Sequence, residues 1–220
     1  MNGFAKRFAI PVAVSACLIL FFIRTGFADT EFVYRPEINL VGPLTERLFW
    51  IAAIDPRLSD DAQKADEIGL NAGIKWKHYR FAAFTADYKY ISKGGTDKQN
   101  ESRPRLAVEL YAPLGNFGVA LRNRFEYRMK EGEDDYWRYR VRVKLKFPAI
   151  GNTIPFIYEE VLYEFGDIDA IDRNEAGLGI ATPLAENLGL TIDLRFRNNK
   201  SDGDWETAEK HLLTALTYAF

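Results

Sequence analysis

Two neighbouring segments of the chain, residues 117–130 and 135–147, alternate apolar and charged side chains almost without exception. The apolar positions are Phe117, Val119, Leu121, Phe125, Tyr127 and Met129, then Trp137, Tyr139, Val141, Val143, Leu145 and Phe147. The charged positions are Arg122, Arg124, Glu126, Arg128 and Lys130, then Arg138, Arg140, Arg142, Lys144 and Lys146. A period of two predicts β-strands whose two faces meet different surroundings.

The same alternation predicts ten strands along the chain. They span residues 46–57, 66–77, 81–92, 103–112, 117–130, 135–147, 153–165, 171–182, 187–199 and 206–220. The other outward apolar positions expected from it are Ile68, Leu70, Ile74 and Trp76; Phe84, Tyr88 and Tyr90; and Leu188, Leu190, Ile192, Leu194 and Phe196. Aromatic residues gather toward strand ends and aliphatic residues toward strand middles, as in membrane barrels.

The predicted connections are of two kinds that alternate along the chain. Tight, Pro- or Gly-rich turns are expected at 78–80, 113–116, 148–152 and 183–186, and polar or acidic loops from 59 onward and at 93–100, 131–134, 166–170 and 200–204. This is typical of an up-and-down barrel with the tight turns in the periplasm and the loops outside.

The amino terminus predicts export. Lys6 and Arg7 precede an apolar run, and the sequence Gly26-Phe27-Ala28 offers small residues at a cleavage site. We therefore expect a signal peptide at 1–28. An uncleaved anchor is the alternative, and Cys17 lies in a box that resembles a lipoprotein cleavage site. Cleavage at residue 28 removes the only cysteine, so no disulfide or thiol chemistry is expected.

Residues 29–45 contain Pro36 and Pro43 and show no clear alternation, so they are expected to form a periplasmic N-terminal arm or a partial plug, with the barrel at 46–220. The chain ends on an alternating strand and a terminal aromatic, Phe220. This ending resembles the sorting signal that the barrel-insertion machinery of the bacterial outer membrane reads. The expected location is therefore the outer membrane, reached through the periplasm.

These patterns predict an all-β fold, namely a transmembrane up-and-down antiparallel β-barrel of about ten strands. A soluble sandwich or ligand-binding barrel is the alternative, because alternation alone indicates only one buried and one solvated face. It would leave the terminal Phe220, the aromatic placement and the two classes of connection without a reason. The formal net charge of −2 gives no reason to expect nucleic acid as a partner.

Several short motifs between Phe49 and Phe220 resemble a known family. They are Phe49-Trp50, Arg57-Leu58-Ser59-Asp60-Asp61, Arg122-Asn123-Arg124-Phe125-Glu126-Tyr127-Arg128, Arg138-Tyr139-Arg140-Val141-Arg142, Tyr158-Glu159-Glu160, Arg173-Asn174-Glu175-Ala176-Gly177-Leu178-Gly179 and the terminal Tyr-Ala-Phe. The chain is similar to a bacterial outer-membrane β-barrel family, the domain of unknown function numbered 2490. The resemblance implies a barrel in the outer membrane and transfers no activity or catalytic residues.

The predicted lumen is rich in charge, and its cations outnumber its anions. The candidate cluster comprises Arg122, Arg124, Glu126, Arg128, Arg138, Arg140, Arg142, Lys144, Glu109, Glu160, Glu164, Arg195 and Arg197. Further inward cations are expected at Lys75, Lys77, Lys89, Arg103, Arg105, Lys130, Lys146 and Arg173, and further anions at Glu67, Asp87, Glu175, Asp193 and Glu209.

This charge supports two functional interpretations. Fork-like ion pairs would close the modest bore of a ten-stranded barrel and leave a structural protein with a salt-bridged lumen. Incomplete pairing would leave a narrow pore that prefers small anions. Same-face pairing predicts that Glu126 bonds Arg138 or Arg140. Glu159, adjacent to Glu160, would face lipid in a regular strand, so either a bulge or an error in the strand assignment is expected there.

An outer-membrane hydrolase or acyltransferase is a further alternative. His211, with Glu209 and Arg197 as expected neighbours, is the remaining candidate base. No motif indicates a cofactor or a metal. The expected partners are outer-membrane lipid and lipopolysaccharide, together with the barrel-insertion machinery, which would act through the C-terminal strand.

Overall fold

The protein is a closed β-barrel. The computed structural model describes residues 30–59, 64–94, 99–165, 170–201 and 204–220, and in these ranges eleven strands close into one sheet. The strands are β1 (Glu31–Pro43), β2 (Leu48–Ser59), β3 (Lys64–Tyr79), β4 (Ala82–Lys93), β5 (Glu101–Leu114), β6 (Phe117–Lys130), β7 (Tyr136–Lys146), β8 (Ile154–Phe165), β9 (Ala170–Ala185), β10 (Leu188–Ser201) and β11 (Asp204–Ala219). The predicted signal peptide, Cys17 and parts of the polar loops lie outside the described residues.

The all-β barrel fold is confirmed, but the predicted strand count of about ten is wrong by one. The ten predicted strands correspond to β2 to β11, with bounds that differ by a few residues. The eleventh is β1, which covers most of the stretch expected to be a periplasmic arm. In β1, Val33 lies opposite His211 of β11, and Ile38 lies opposite Ile54 of β2.

Prolines explain why β1 is hard to recognise in the sequence. The β1–β2 ladder pairs Tyr34 with Leu58 and resumes at Ile38 and Ile54. The residues between these two pairs include Pro36 and Pro56, which have no N–H to donate to a ladder. β1 is nevertheless paired on both sides, because its parallel register with β11 is regular and places Pro36 opposite Thr214.

An odd number of strands has a topological consequence. Because successive strands alternate in direction, β1 and β11 run the same way and their pairing is parallel. Every other neighbouring pair is antiparallel. Thr30 therefore lies at the rim that carries the polar loops, and Phe220 lies at the rim of the tight turns.

The tight turns form one rim. Two-residue turns at 80–81, 115–116 and 186–187 connect β3 to β4, β5 to β6 and β9 to β10. Gly115 has a φ of 60°, a left-handed conformation that glycine adopts without a Cβ clash and that tight hairpin turns require. The predicted turns lie within three residues of the observed ones, because the strands continue further than their alternating pattern shows.

The two faces of the wall differ in chemistry. Glu126 and Glu160 point into the lumen and are 1% and 0% exposed, whereas Leu70 and Leu106 point outward and are 49% and 62% exposed. The apolar positions predicted to face outward all lie on the outward face of this register. The barrel therefore buries charge inside and exposes apolar side chains outside. None of the described residues forms a helix long and apolar enough to span a membrane.

Candidate functional site

The charged lumen is the candidate site. The pairing registers place every residue of the predicted cluster on the inward face. Those residues are Arg122, Arg124, Glu126, Arg128, Arg138, Arg140, Arg142, Lys144, Glu109, Glu160, Glu164, Arg195 and Arg197. Arg128, Arg138 and Glu164 form a separate group of ion pairs, and Glu109 and Lys144 lie outside both groups. The other eight residues join one ion-pair network along the wall.

Glu160 of β8 is the centre of this network. One of its carboxylate oxygens accepts a hydrogen bond from Arg122 at 2.7 Å, and the other accepts from Arg140 at 2.5 Å and from Arg142 at 2.8 Å. The Glu160 side chain is completely buried. Three guanidinium groups therefore share one carboxylate, and their charge is only partly balanced there.

A second carboxylate continues the network toward β10 and β11. Glu175 of β9 pairs with Arg140 and Arg195, both at 3.2 Å, and with Arg197 at 3.5 Å. Arg197 in turn pairs with Glu209 of β11 at 2.7 Å. The chain of contacts thus extends from β7 to β11 along the inside of the barrel.

The pairing of Glu126 agrees only in part with the expectation. Its nearest cation is Arg124 on its own strand at 2.8 Å, and Arg140 approaches to 3.7 Å. Arg138 lies directly opposite Glu126 in the register but pairs with Glu164 of β8 instead. The long Arg138 side chain can turn toward either neighbouring strand. Knowing which face of the sheet it is on therefore does not select its partner.

Glu101 is an ion-pairing residue that the sequence analysis missed. It is 1% exposed and binds two guanidiniums, that of Arg128 with two hydrogen bonds and that of Arg103 at 2.5 and 2.6 Å. Glu101 lies between the predicted loop at 93–100 and the predicted strand at 103–112, so it was assigned to neither. The available signal is its spacing: Glu101 stands two residues before Arg103 and continues the same face.

Four charged residues of β1 and β2 were also missed, and they form ion pairs near the parallel seam, where Arg57 extends the network through Glu209. Arg35 pairs with Asp55 at 2.9 Å, while Arg57 pairs at 3.3 Å with both Glu31 and Glu209. Asp55 and Arg57 share a face of a predicted strand, which is the signal that could have found them. Arg35 and Glu31 lie in the proline-containing stretch, where no strand was predicted.

The full inward charge set is larger than expected. Together with Arg35, Arg57, Glu31, Asp55 and Glu101, the inward residues that the predicted set did not include are Glu37 and Lys93. These additions contribute more anions than cations, so the positive excess is slightly smaller than the sequence indicated. Cations still outnumber anions among the inward residues whose side chains are described.

Like charges face one another directly across the ladders. Arg122 lies opposite Arg142, Arg124 lies opposite Arg140, and Glu160 lies opposite Glu175. Direct like-charge pairs destabilise a sheet. Here the carboxylates of β8 and β9 compensate, because each reaches guanidiniums one or two strands away, as in the Arg122–Glu160 pair at 2.7 Å.

Burial differs between the two ends of the lumen. On the tight-turn side, Lys75 and Glu109 form a 3.0 Å pair whose side chains are 27% and 26% exposed, and Lys146 is exposed at the rim. The inward positions around that end are mostly small residues, namely Gly118, Ala120, Ala181, Gly189, Thr191, Ala215 and Thr217. Toward the loop side, Glu101, Glu126 and Glu160 are almost fully buried. The network therefore fills the middle and loop-side lumen, and the tight-turn end is wider.

His211, the candidate base, is fully buried. Its Nε2 lies 2.7 Å from a Glu209 carboxylate oxygen, as the sequence suggested, but the residue is 0% exposed. A general base must reach the proton that it removes from a substrate. In the pairing registers His211 lies opposite Val33 of β1 and Arg195 of β10, and its full burial leaves the ring out of contact with a molecule in the lumen.

No bulge is found at Glu159. The residue lies in regular pairing opposite Val143 and Ala176, and the register shift of β8 falls between Leu162 and Tyr163. Its carboxylate points outward and accepts a hydrogen bond from Asn174 on β9. Among the described residues, no group of His, Cys, Asp and Glu is arranged to hold a metal ion.

Comparisons with known proteins give a family and a distant structural neighbour. The family model described as a protein of unknown function (DUF2490) matches residues 36–208. No curated protein matches the sequence. Among solved structures, the anion-selective porin from Comamonas acidovorans is similar to 81% of this chain, with a TM-score of 0.38 and 12% identity. The match covers 54% of that porin, so this chain spans about half of its length.

Proposed function

Because this chain belongs to the DUF2490 family of proteins of unknown function, its role must be inferred from its own side chains, and we propose a structural outer-membrane β-barrel with a closed lumen. The observation that carries this proposal is the burial of charge. Glu101, Glu126, Glu160 and Glu175 are each at most 2% exposed, and each is held by guanidinium groups. A water-filled channel would leave such side chains accessible.

The outward face supports a membrane environment for the proposed barrel. Ile68, Leu70 and Ile74 lie on the outward face of β3, and Leu106 lies on that of β5. Each is more than two-fifths exposed. A soluble protein rarely exposes a continuous apolar surface, whereas a bilayer favours one. Ring closure also removes the free strand edges that lipid does not tolerate.

Aromatic contacts at both rims support the same environment. On the tight-turn side, Trp76 packs on Phe84 with ring centroids 5.5 Å apart. On the loop side, Tyr127 packs on Trp137 at 4.9 Å. Two outward aromatic girdles that flank an aliphatic band are typical of barrels whose ends lie at membrane interfaces. The tight-turn rim, with Phe220, would face the periplasm.

Single-channel recording tests the closed lumen. The refolded protein, shown to be inserted by its heat-modifiable migration in gels, should give no steady openings in a planar bilayer under a salt gradient. Arg140→Ala removes the side chain that joins Glu126, Glu160 and Glu175. It should therefore produce openings that Lys75→Ala, a control in the wider end, does not produce. Steady openings of the unaltered protein would refute the proposal.

A narrow anion-preferring pore is the second candidate, and the inward excess of cations favours it. Rings of Arg and Lys select anions in other pores. The same recording separates the two functions. Anion-selective openings that decrease when Arg140 and Arg142 are neutralised would establish the pore, since a closed barrel has no conductance to lose.

The proposed partners are outer-membrane lipid, including lipopolysaccharide, and the barrel-insertion machinery. The ring of Phe220 is 66% exposed and packs on Trp50 at 5.4 Å, and its N–H donates to the Val41 carbonyl at 2.9 Å. Phe220→Ala should lower the amount of folded barrel in cell membranes. Phe81→Ala, which removes an exposed aromatic at the same rim, should leave that amount unchanged; equal losses would argue against a role of the terminal residue in insertion.

A further inference from the structure

Lys144 differs from the other inward cations in how it is held. Its Nζ lies 4.1 Å from the centre of the Phe156 ring and 5.7 Å from that of Tyr158. In the described part of the chain it forms no ion pair with a carboxylate. Aromatic faces attract and orient a cation without cancelling its charge. The positive charge of Lys144 therefore remains directed into the lumen.

The barrel wall is shaped to hold these two rings. A Cβ on Gly177 would lie 2.3 Å from the Tyr158 ring, and a Cβ on Gly179 would lie 2.6 Å from the Phe156 ring. Both rings therefore lie against the backbone of β9, where only glycine leaves room. Tyr158 is fixed further because its hydroxyl donates to Asp193 at 2.9 Å and accepts from Arg195 at 2.8 Å.

Arg142 packs on the same pair of aromatic rings. Its guanidinium carbon lies 4.6 Å from the centre of the Tyr158 ring, and one of its terminal nitrogens donates to Glu160. Arg122 lies opposite Arg142 in the ladder and donates to the other oxygen of Glu160. The Nε atoms of both arginines are buried and have no hydrogen-bond partner among the described residues. Because these atoms are buried, what remains accessible is charge: the single carboxylate of Glu160 balances three guanidiniums, so a surplus of positive charge remains beside Lys144.

Space is available next to these cations. Ala120 is the residue opposite Lys144, and Gly118 is the residue opposite Lys146. A Cβ on Gly118 would meet only the Lys146 side chain, at 3.7 Å. In this group, Arg122 and Arg142 lie level with Glu160 in the ladders, and Lys144 lies two residues closer to the tight-turn rim. A ligand could reach it from that rim without crossing the closed network.

We propose that Arg122, Arg142 and Lys144 form a binding site in the lumen for a small multivalent oxyanion that carries phosphate or carboxylate groups. A planar guanidinium donates two parallel hydrogen bonds to two oxygens of such a group, and the lysine adds a point charge. Bound there, the oxyanion supplies the negative charge that Glu160 alone does not provide. The inference rests on the proposed closed lumen, because the network would then leave a cavity that is open only at the tight-turn rim.

Isothermal titration with pyrophosphate tests the site, with the refolded full-length barrel in an uncharged detergent. We expect saturable binding of about one pyrophosphate per barrel, weakened at least about tenfold in Lys144→Gln and in Arg142→Gln, since each removes a charged contact. Lys75→Gln is the matched control. It removes one inward cation at the wide end that pairs with Glu109, and it should change the affinity by less than about threefold.

Two results would overturn the inference. One is the absence of saturable binding by protein whose folding is verified by heat-modifiable migration. The other is equal weakening in Lys75→Gln and Lys144→Gln, which would indicate attraction by the whole lumen and no defined site. Competition by a short-chain phosphatidic acid would identify a lipid headgroup as the source of the oxyanion, and lack of competition would identify a free solute.

The failure of this inference can be distinguished from the failure of the proposed function. Conductance in a planar bilayer reports whether the lumen is closed, whereas titration reports whether the site exists. A non-conducting barrel that does not bind pyrophosphate would refute the inference alone. A conducting barrel that binds it, with the expected dependence on Lys144, would refute the closed lumen and retain the site.

Discussion

Replacing Glu160 by glutamine isolates the contribution of one buried carboxylate. The amide preserves the shape of the side chain but removes the negative charge that Arg122, Arg140 and Arg142 share. Arg140 keeps Glu175 as a partner. Arg122 and Arg142 lose the only carboxylate with which the described structure pairs them. Both would remain in the lumen as unbalanced cations.

The expected cost of Glu160→Gln follows from this burial. Removing one partner of a buried ion pair costs about 3 to 5 kcal/mol, because the remaining charge has no compensation. With a denaturant slope of about 2 kcal/mol per M, the urea midpoint of the barrel should fall by about 2 M. Unfolding from lipid vesicles, followed by tryptophan fluorescence, measures this midpoint.

Glu109→Gln is the matched control for Glu160→Gln. It makes the same chemical change on the same face, but the Lys75–Glu109 pair is about one-quarter exposed on each side. Such a pair should be worth at most about 1 kcal/mol. Adding Arg142→Gln to Glu160→Gln should restore part of the loss, because it removes one of the unbalanced cations. Equal midpoints for the two single variants would refute the argument from burial.

Two further predictions test the wall and the topology. Gly177→Ala places a Cβ 2.3 Å from the Tyr158 ring, so the free energy of unfolding should fall by about 1 to 3 kcal/mol. Gly189→Ala is the control, because a Cβ there meets nothing within 4 Å. It should leave the midpoint of the same urea titration unchanged. In intact cells, a membrane-impermeant maleimide should label Thr30→Cys but should label Asn187→Cys only after permeabilisation, because eleven strands place these residues at opposite rims. The reverse labelling pattern would contradict the proposed orientation.

The sequence by itself determined which side chains face inward and which face outward. The alternation of residues 117–130 fixes this locally, because successive Cβ atoms of an extended chain point to opposite sides whatever the strand pairs with. For the same reason the ten strands from β2 to β11 and the inward position of the predicted charges could be read without a structure.

The tertiary structure alone decided how the barrel closes. In β1, Phe32, Tyr34, Ile38 and Leu40 share the outward face, but the prolines of the segment argue against a central strand. β1 becomes a wall strand because β2 and β11 offer edges on both sides. Such edges exist only after the other strands have assembled. The local pattern of residues 31–43 gives the two faces of the strand, but it does not say which strands it pairs with, so the parallel seam could not be predicted from it.

Tertiary structure also decided which charges pair. Parity places Glu160 and Arg122 in the same lumen, but only the curvature of the barrel brings them to 2.7 Å from strands that are not neighbours. Long guanidinium side chains can reach several carboxylates, and the packing of the whole lumen selects among them. Sequence therefore determined which chemical groups enter the lumen, and the closed sheet determined their partners, because pairing depends on distances that the chain sets only when the barrel is complete.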